Sequence, residues 1–199
     1  AMDVHRVTAG EVDAATNTIA HAFLGDPVWR LALGVEDRSE ADVRAFWRFY
    51  VEGALRFDTA YAGTDARTVS VWIPPGENEL SEQAELEASR LVEQMLAPDR
   101  ARAMFELWER FAAARPHDQP HAYLSLLATH PDHAGHGHGI AHLASDLERW
   151  DAAGIPTYLE STNPRNDRRY QGQGYVAIGR FETVLDSAVV TTMWRPVGG

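Results

Sequence analysis

The sequence lacks cysteine altogether, and this absence removes several kinds of chemistry. Without thiols the chain of 199 residues can form no disulfide, bind no metal through a thiolate and use no cysteine nucleophile. It also lacks any run that approaches the roughly 20 apolar residues of a membrane-spanning helix. The N-terminal stretch has no apolar segment typical of a signal peptide, so we expect a cytoplasmic protein.

Positive charge is also scarce. The chain has 18 Lys and Arg residues against 29 Asp and Glu residues, which gives a net charge of −11. This balance disfavours nonspecific binding to nucleic acid, because phosphate backbones are recognised mainly by basic side chains. It would attract a cationic ligand, although an acidic surface also serves solubility alone. With 45% hydrophobic residues and no repeat or linker, the sequence predicts one domain over residues 1–199.

The most informative stretch is residues 122–175, which predicts a strand, a glycine-rich turn, a helix and a second strand. Residues 123–128 form an apolar run of strand length. After the glycines at residues 135–139, apolar side chains recur at helical spacing until Gly154 supplies a helix stop. Residues 157–161 resume as a strand. The pattern predicts a parallel βαβ unit with a glycine loop between its first strand and its helix.

A glycine turn in front of a helix is suited to phosphate, because successive backbone N–H groups and the positive end of the helix dipole point at the ligand. The spacing of the residues around the glycines distinguishes between the known types of phosphate-binding loop. A P-loop requires Lys and Ser or Thr after the last glycine, where this chain has Ile140 and Ala141. A dinucleotide fingerprint could use Glu160 as its ribose-binding acid, but its third glycine would fall at Ile140, and no second βαβ half follows.

A third type of loop fits better. The segment AGHGHG at residues 134–139 resembles the pyrophosphate loop of the GNAT N-acetyltransferases, whose pattern is Gln or Arg, two residues, Gly, any residue, then Gly or Ala. Asn166, Tyr170 four residues later and the Gly174-Tyr175 pair are similar to that superfamily's second signature. Within it the chain resembles puromycin N-acetyltransferase and its relatives, through VWIPP at 71–75, THPDHAGHGHG at 129–139 and LESTNPRN at 159–166.

The resemblance implies acetyl-CoA as co-substrate and no metal. The pantetheine arm would hydrogen-bond to the backbone at the end of the first strand, in the manner of an added strand, and the loop would bind the pyrophosphate. Ala134 departs from the pattern, because it stands where the family has Gln or Arg, and a side-chain contact is therefore missing. The expected coenzyme-binding residues are Leu127, Ala128, Thr129, Gly135, His136, Gly137, His138, Gly139, Ile140 and Asn166.

Acetyl transfer to an amine needs a group that accepts the amine proton and a donor for the departing thiolate. Tyr170 matches the superfamily's general acid, and a phenol with a pKa of about 10 stays protonated at neutral pH. Glu160 ends a strand at the edge where open α/β sheets bind ligands, so we expect it to be the base. Asp26 is the second candidate for this role. Glu160 could act directly, through water, or by neutralising a cationic acceptor.

The N-terminal half predicts a strand at residues 3–7 and two helices. The first helix begins near a capping box of Thr8 and Glu11, and Ser39 caps the second, which is rich in aromatic residues. The resemblance implies that these helices form one wall of the acceptor pocket. Aromatic residues at helical spacing more often serve packing. The candidate acceptor contacts are Phe23, Asp26, Trp29 and Trp47.

The remaining segments complete an α/β (α+β) fold. The sequence predicts strands at 59–62, 68–73, 176–185 and 188–194, and helices at 28–33, 81–95 and from Pro98 onward. Together with the resemblance, this pattern predicts a GNAT-like domain with a mixed, mostly antiparallel sheet. The βαβ coenzyme-binding unit would be central, with helices on both faces of the sheet.

Histidine is concentrated in the central stretch, where six of the nine lie within 22 residues. Imidazole is a common metal ligand, and a pair such as His138 and His142 could hold zinc. No cysteine completes such a set, and the phosphate would occupy the backbone of the loop that carries His136 and His138. We therefore expect no physiological metal and a weak, pH-dependent contact from His136 to phosphate.

The sequence as a whole predicts an N-acetyltransferase that moves acetyl from acetyl-CoA to a primary amine by direct attack in a ternary complex. The resemblance points to a small-molecule acceptor, such as an antibiotic. Two alternatives stay open: acetylation of a protein or peptide amine, and a non-catalytic acyl-CoA-binding module. We expect no nucleic-acid or membrane partner, and the resemblance is compatible with a homodimer.

Overall fold

Seven strands form one mixed sheet in the computed structural model, which describes residues 2–199. They are β1 (Val4–Arg6), β2 (Ala60–Gly63), β3 (Thr68–Ile73), β4 (Ala122–Thr129), β5 (Thr157–Ser161), β6 (Val176–Glu182) and β7 (Val189–Arg195). Across the sheet they lie in the order β1-β2-β3-β4-β5-β7-β6. Every neighbouring pair is antiparallel except β4 and β5, which are parallel. The predicted fold class is confirmed.

Helices cover both faces of this sheet. Within residues 2–199 they are α1 (Val12–Phe23), α2 (Trp29–Leu33), α3 (Glu40–Leu55), α4 (Glu82–Met95), α5 (Pro98–Ala114), α6 (His138–Ala152) and α7 (Asp167–Gln171). Strand β3 shows the division, because successive side chains of a strand point to opposite faces. Val71 and Ile73 belong to the core beneath α1 and α3, whereas Trp72 packs with Leu143 and Leu147 of α6.

Local chemistry sets several of the helix ends. Ser39 accepts a hydrogen bond from the Asp42 backbone N–H at 3.1 Å, which confirms the predicted cap of α3. The Thr8 N–H donates to the Glu11 carboxylate at 2.9 Å, as a capping box requires. Beyond α6, Gly154 adopts a left-handed φ of 70°, so the predicted glycine stop is also confirmed.

One predicted element is wrong in length. Strand β6 ends at Glu182 rather than at residue 185. Beyond it, Asp186 accepts hydrogen bonds from the Thr183 hydroxyl at 3.0 Å and the Ala188 N–H at 3.1 Å, which closes a turn instead of extending the hairpin. No helix among residues 2–199 has the length and hydropathy required to cross a membrane.

The feature that positions the site is a separation of the two parallel strands. Strands β4 and β5 pair only over three positions, the last of which joins Leu124 to Leu159. Strand β4 then continues to Thr129 while paired with β3 alone, and β5 continues to Ser161 while paired with β7. The backbone edge of residues 125–129 that faces β5 therefore has no strand partner. A cleft opens between the strands at this point.

Candidate active site

A cavity of about 780 Å³ lies where β4 and β5 separate. The walls combine β4, β5 and α7 with residues of α1, α3 and α5 and with the loops that precede α4 and β4. All of the predicted catalytic and acceptor-binding residues line it, together with two of the predicted coenzyme-binding residues. These residues are Phe23, Asp26, Trp29, Trp47, Glu160, Tyr170, Leu127 and Asn166. Its volume is typical of sites for small ligands.

The other predicted coenzyme-binding residues continue from the cavity along β4 into the glycine loop. Gly135 and Gly137 have left-handed φ values of 84° and 75°, and Gly137 immediately precedes the first residue of α6. A Cβ at Gly139 would lie 2.7 Å from Thr129 Oγ1, so the start of α6 packs tightly on the end of β4. Loop, helix N-terminus and unpaired strand edge are thus contiguous. This arrangement suits a phosphate followed by an extended arm.

Two exposed histidines stand in this loop. The rings of His136 and His138 lie with their centroids 5.8 Å apart, and neither side chain is buried. Ile140, by contrast, is half-buried and packs on the core beneath α6. Within residues 2–199, no three His, Asp or Glu side chains are grouped so as to hold a metal ion.

Tyr170 lies in α7 and faces the cavity. Its ring packs edge-on against Tyr175 with the centroids 6.2 Å apart. Burial, assisted by the negative charges of Asp26 and Asp167, raises the pKa of Tyr170 to about 12. The phenol is therefore protonated throughout the neutral range and is available as a proton donor.

Glu160 lies in β5 on the same cavity. Its Oε1 accepts a hydrogen bond from the Tyr123 hydroxyl, whereas Oε2 is buried without a hydrogen-bond partner. Burial, reinforced by the negative charge of Glu79, raises the pKa of Glu160 to about 8. A carboxyl group with this pKa can accept a proton near neutral pH, as a general base must.

Asp26 is placed differently from the other predicted contacts. Its Oδ1 accepts the backbone N–H groups of Val28 at 2.9 Å and Trp29 at 3.0 Å, and its Oδ2 accepts the Thr162 hydroxyl at 2.7 Å. These bonds fix the start of α2 and join it to the segment after β5. Because three donors already occupy the carboxylate, Asp26 has the geometry of a positioning residue.

Aromatic rings form the cavity wall contributed by the N-terminal helices. Trp47 stacks on Phe23 with the centroids 5.0 Å apart and meets Trp29 edge-on at 5.1 Å. Trp29 in turn stacks on Phe111 of α5 at 5.7 Å. Trp29 and Trp47 are buried in the main core. These residues therefore serve packing and also present flat apolar surface to the cavity.

Several cavity residues were not found from the sequence. Glu79 belongs to the loop before α4, and its carboxylate accepts a hydrogen bond from the Ser125 hydroxyl on β4. Arg115, beyond α5, lies over the Tyr123 ring at 4.7 Å. Loop residues have no periodicity to reveal them. Tyr123 and Ser125 did offer a signal, because they are polar side chains at alternate positions of an otherwise apolar strand.

No family model matches the sequence, but solved structures share its fold. An acetyltransferase of Corynebacterium glutamicum, described as histone acetyltransferase HPA2 and related acetyltransferase, is 23% identical with a TM-score of 0.68, covering 98% of this chain and 96% of its own. The polyamine N-acetyltransferase of Drosophila melanogaster is 18% identical with a TM-score of 0.65, covering 98% and 100%. The arylalkylamine N-acetyltransferase 2 of Aedes aegypti is 9% identical with a TM-score of 0.67, covering 98% and 99%.

These comparisons establish the fold as that of the GNAT N-acetyltransferases. The sequence identities are too low to carry a substrate from one protein to another. The closer likeness to puromycin N-acetyltransferase stays a prediction.

Proposed function

We propose that this protein is an N-acetyltransferase that moves the acetyl group of acetyl-CoA to the primary amine of a small molecule. The observation that supports it most is the single cavity at the separation of β4 and β5, which Glu160 and Tyr170 both line. The unpaired edge of β4 and the glycine loop lead out of this cavity toward the start of α6. One protein thus offers a track for an extended coenzyme and a cavity for its acyl end.

In the proposed reaction, the amine nitrogen attacks the thioester carbonyl carbon directly. Glu160 accepts the amine proton, the new C–N bond forms, and the C–S bond breaks with its electron pair going to sulfur. Tyr170 donates its phenolic proton to that sulfur, so the products are an N-acetyl amide and free coenzyme A. The absence of cysteine and the position of both residues on one cavity support transfer within a ternary complex.

The acceptor is proposed from the shape of the cavity and from the fold's known relatives. A cavity of about 780 Å³ is of the size that holds a small molecule, including an antibiotic. Two of the structural neighbours are by name enzymes for polyamines and for arylalkylamines. A protein amine is the second candidate, because the name of the C. glutamicum neighbour includes a histone acetyltransferase.

The test is release of free thiol from acetyl-CoA in the presence of purified protein and one amine at a time. The panel contains puromycin, an aminoglycoside, polyamines, an arylalkylamine and a lysine-containing peptide. We expect release with at least one small amine. Release with the peptide alone would replace the small-molecule acceptor by the second candidate. If acetyl-CoA binds and no amine reacts, the protein is a binding module and the proposal fails.

A further inference from the structure

Two carboxylates that line the cavity, those of Glu79 and Glu160, accept hydrogen bonds from side chains of β4. Tyr123 and Ser125 lie two positions apart on this strand, so their side chains share one face. The Tyr123 hydroxyl donates to Glu160, and the Ser125 hydroxyl donates to Glu79. Each carboxylate is therefore held by one neutral donor and keeps its second oxygen for another partner.

The charges around this pair do not balance. Among residues 2–199, neither Glu79 nor Glu160 has a cationic side-chain nitrogen within ion-pair distance. Arg115 is the basic group that acts on both carboxylates, and its Nε donates to His121 at 3.2 Å. When both carboxyl groups are ionised, as the action of Glu160 as a base requires, two carboxylates and one guanidinium leave this end of the cavity one positive charge short.

The other buried ionisable groups nearby do not supply that charge. Tyr50 of α3 and Tyr158 of β5 have pKa values raised by burial, so both are neutral. Burial lowers the pKa of His121, which is therefore neutral as well. Asp26 has its oxygens filled by three donors.

The rest of the cavity is aromatic. Phe23, Trp29, Trp47, Trp108 and Phe111 line the side formed by α1, α2, α3 and α5. The further carboxylates on the lining, Glu77, Glu85 and Asp118, are exposed to water. Water and salt screen such groups, so they steer cations toward the entrance more than they discriminate between bound ligands.

We infer that the acceptor in the proposed acetyl transfer is a monocationic amine with an aromatic body. Its ammonium group binds between Glu79 and Glu160, and its ring lies against the tryptophan wall. This inference rests on the proposed function and names the substrate class for the same site. Glu79 is then a specificity residue that draws the amine in as a cation. Glu160 takes one proton from the ammonium group, which makes the nitrogen nucleophilic, and the second proton that the nitrogen loses on attack goes to the phenolate left when Tyr170 protonates the sulfur.

The first test compares phenethylamine with putrescine and agmatine, which carry two positive charges, as acceptors for the wild-type protein. We expect kcat/KM to be at least roughly tenfold higher for phenethylamine, because a second cation would have to lie against the aromatic wall without a buried carboxylate. A higher kcat/KM for either dication would overturn the inference and leave the acetyl transfer itself intact.

The second test is Glu79→Gln, with Glu93→Gln on an exposed position of α4 as the matched loss of charge. Glu79→Gln should raise the KM for phenethylamine roughly tenfold or more, with a smaller change in kcat and none in the KM for acetyl-CoA. It should also move the acid limb of the kcat/KM pH profile to lower pH, because the charge of Glu79 raises the pKa of Glu160.

A structural role for Glu79 would not move the acid limb. If Glu79→Gln melts like the wild type and matches Glu93→Gln in both KM and pH profile, the inference is wrong. Calorimetric binding of phenethylamine to the protein saturated with coenzyme A decides the matter even without turnover. Binding in the wild type that weakens in Glu79→Gln supports the inference, and absence of binding refutes it.

Discussion

In the proposed reaction, single side chains control how a proton leaves the acceptor and reaches the coenzyme. Tyr170 is kept protonated by burial and by two nearby carboxylates, whereas Glu160 is brought by burial into the range where it can take up a proton. The same physical cause, removal from water, thus prepares one group as a donor and the other as an acceptor. Such paired shifts are typical of acid and base roles in one site.

Tyr170→Phe should lower kcat by roughly 100-fold, because the thiolate would leave without its proton donor. Coenzyme A affinity should stay as in the wild type, since the ring and its packing on Tyr175 are retained. Steady-state kinetics measures kcat, and calorimetry measures the affinity for coenzyme A. Tyr61→Phe, in the core on the α6 side of the sheet, is the matched control. Equal turnover in the two variants would exclude Tyr170 as the general acid.

The pH profile of the wild type should follow Glu160. A base must be deprotonated to act, and the pKa of this carboxyl is about 8, so kcat/KM should rise with pH and level off above about pH 8. Glu160→Gln should lose this limb along with most of the activity, whereas Glu148→Gln on the exposed side of α6 should keep both. A wild-type kcat/KM that stays constant from about pH 6 to about pH 9 would contradict the assignment of Glu160 as the base.

At the scale of elements, the end of β4 and the start of α6 depend on close packing. Gly139→Ala would place a Cβ 2.7 Å from Thr129 Oγ1, so loop and strand must move apart. An overlap of this kind costs on the order of 1–3 kcal/mol, and coenzyme A affinity should fall roughly tenfold. Calorimetric titration measures it. Gly10→Ala, where the nearest neighbour of the new Cβ is Thr8 Oγ1 at 4.0 Å, controls for the substitution itself.

An unchanged affinity in Gly139→Ala, with melting like that of Gly10→Ala, would count against this loop as the coenzyme site. If Gly139→Ala fails to fold, the result shows only that Gly139 is needed for packing. The coenzyme A affinity of Thr129→Ala, which removes the facing hydroxyl, would then be measured. If the Thr129→Ala protein folds and the double variant with Gly139→Ala regains binding, the close contact itself is the cause.

The βαβ unit could be predicted from the sequence because each of its signals is local. Apolar spacing defined β4 and α6, glycines marked the loop, and β5 has the predicted bounds, Thr157–Ser161. The end of β6 could not be predicted, because residues 183–185 continue a strand-like pattern and only the bonds of Asp186 turn the chain. The separation of β4 from β5 is likewise invisible in the sequence, since strand pairing depends on distant partners.

At the scale of the whole molecule, the sheet divides two cores with different contents. On the side of α6, His142 and Asp146 are fully buried and bond to β3: Ser70 donates to Asp146 at 2.6 Å and lies 2.9 Å from the His142 ring nitrogen. Although Ser, His and Asp meet here, none of them reaches solvent, so the group is structural. Burial lowers the pKa of His142 to about 3, which keeps it neutral.

Asp146→Ala should destabilise the fold by roughly 2–4 kcal/mol, because the buried donors of Ser70 and Trp72 would lose their acceptor. Thermal or urea unfolding measures the loss, with Glu148→Ala on the exposed side of α6 as the control. If both variants unfold at the same temperature or urea concentration as the wild type, the hydrogen-bond network of Asp146 contributes nothing to stability.

The whole molecule also explains why the proposed coenzyme track has a local signal in the sequence and the cavity has none. The proposed coenzyme track lies mainly within residues 127–140, whereas the cavity gathers Trp29, Glu79, Arg115 and Glu160 from separate parts of the chain. Phe23 and Trp47 could be proposed only as candidates, because packing and ligand contact leave the same helical pattern. Glu79 could not be identified as a cavity residue from the sequence, because only the fold brings its loop to Ser125.

The most direct measurement is transfer of an isotopically labelled acetyl group. The protein would be incubated with labelled acetyl-CoA and a mixture of small amines and a peptide, and the products would be separated and identified by mass spectrometry. We expect one small amine to gain one labelled acetyl group at its nitrogen, in an amount equal to the coenzyme A released. Consumption of acetyl-CoA without a labelled amine, or no consumption in the presence of bound acetyl-CoA, would contradict it.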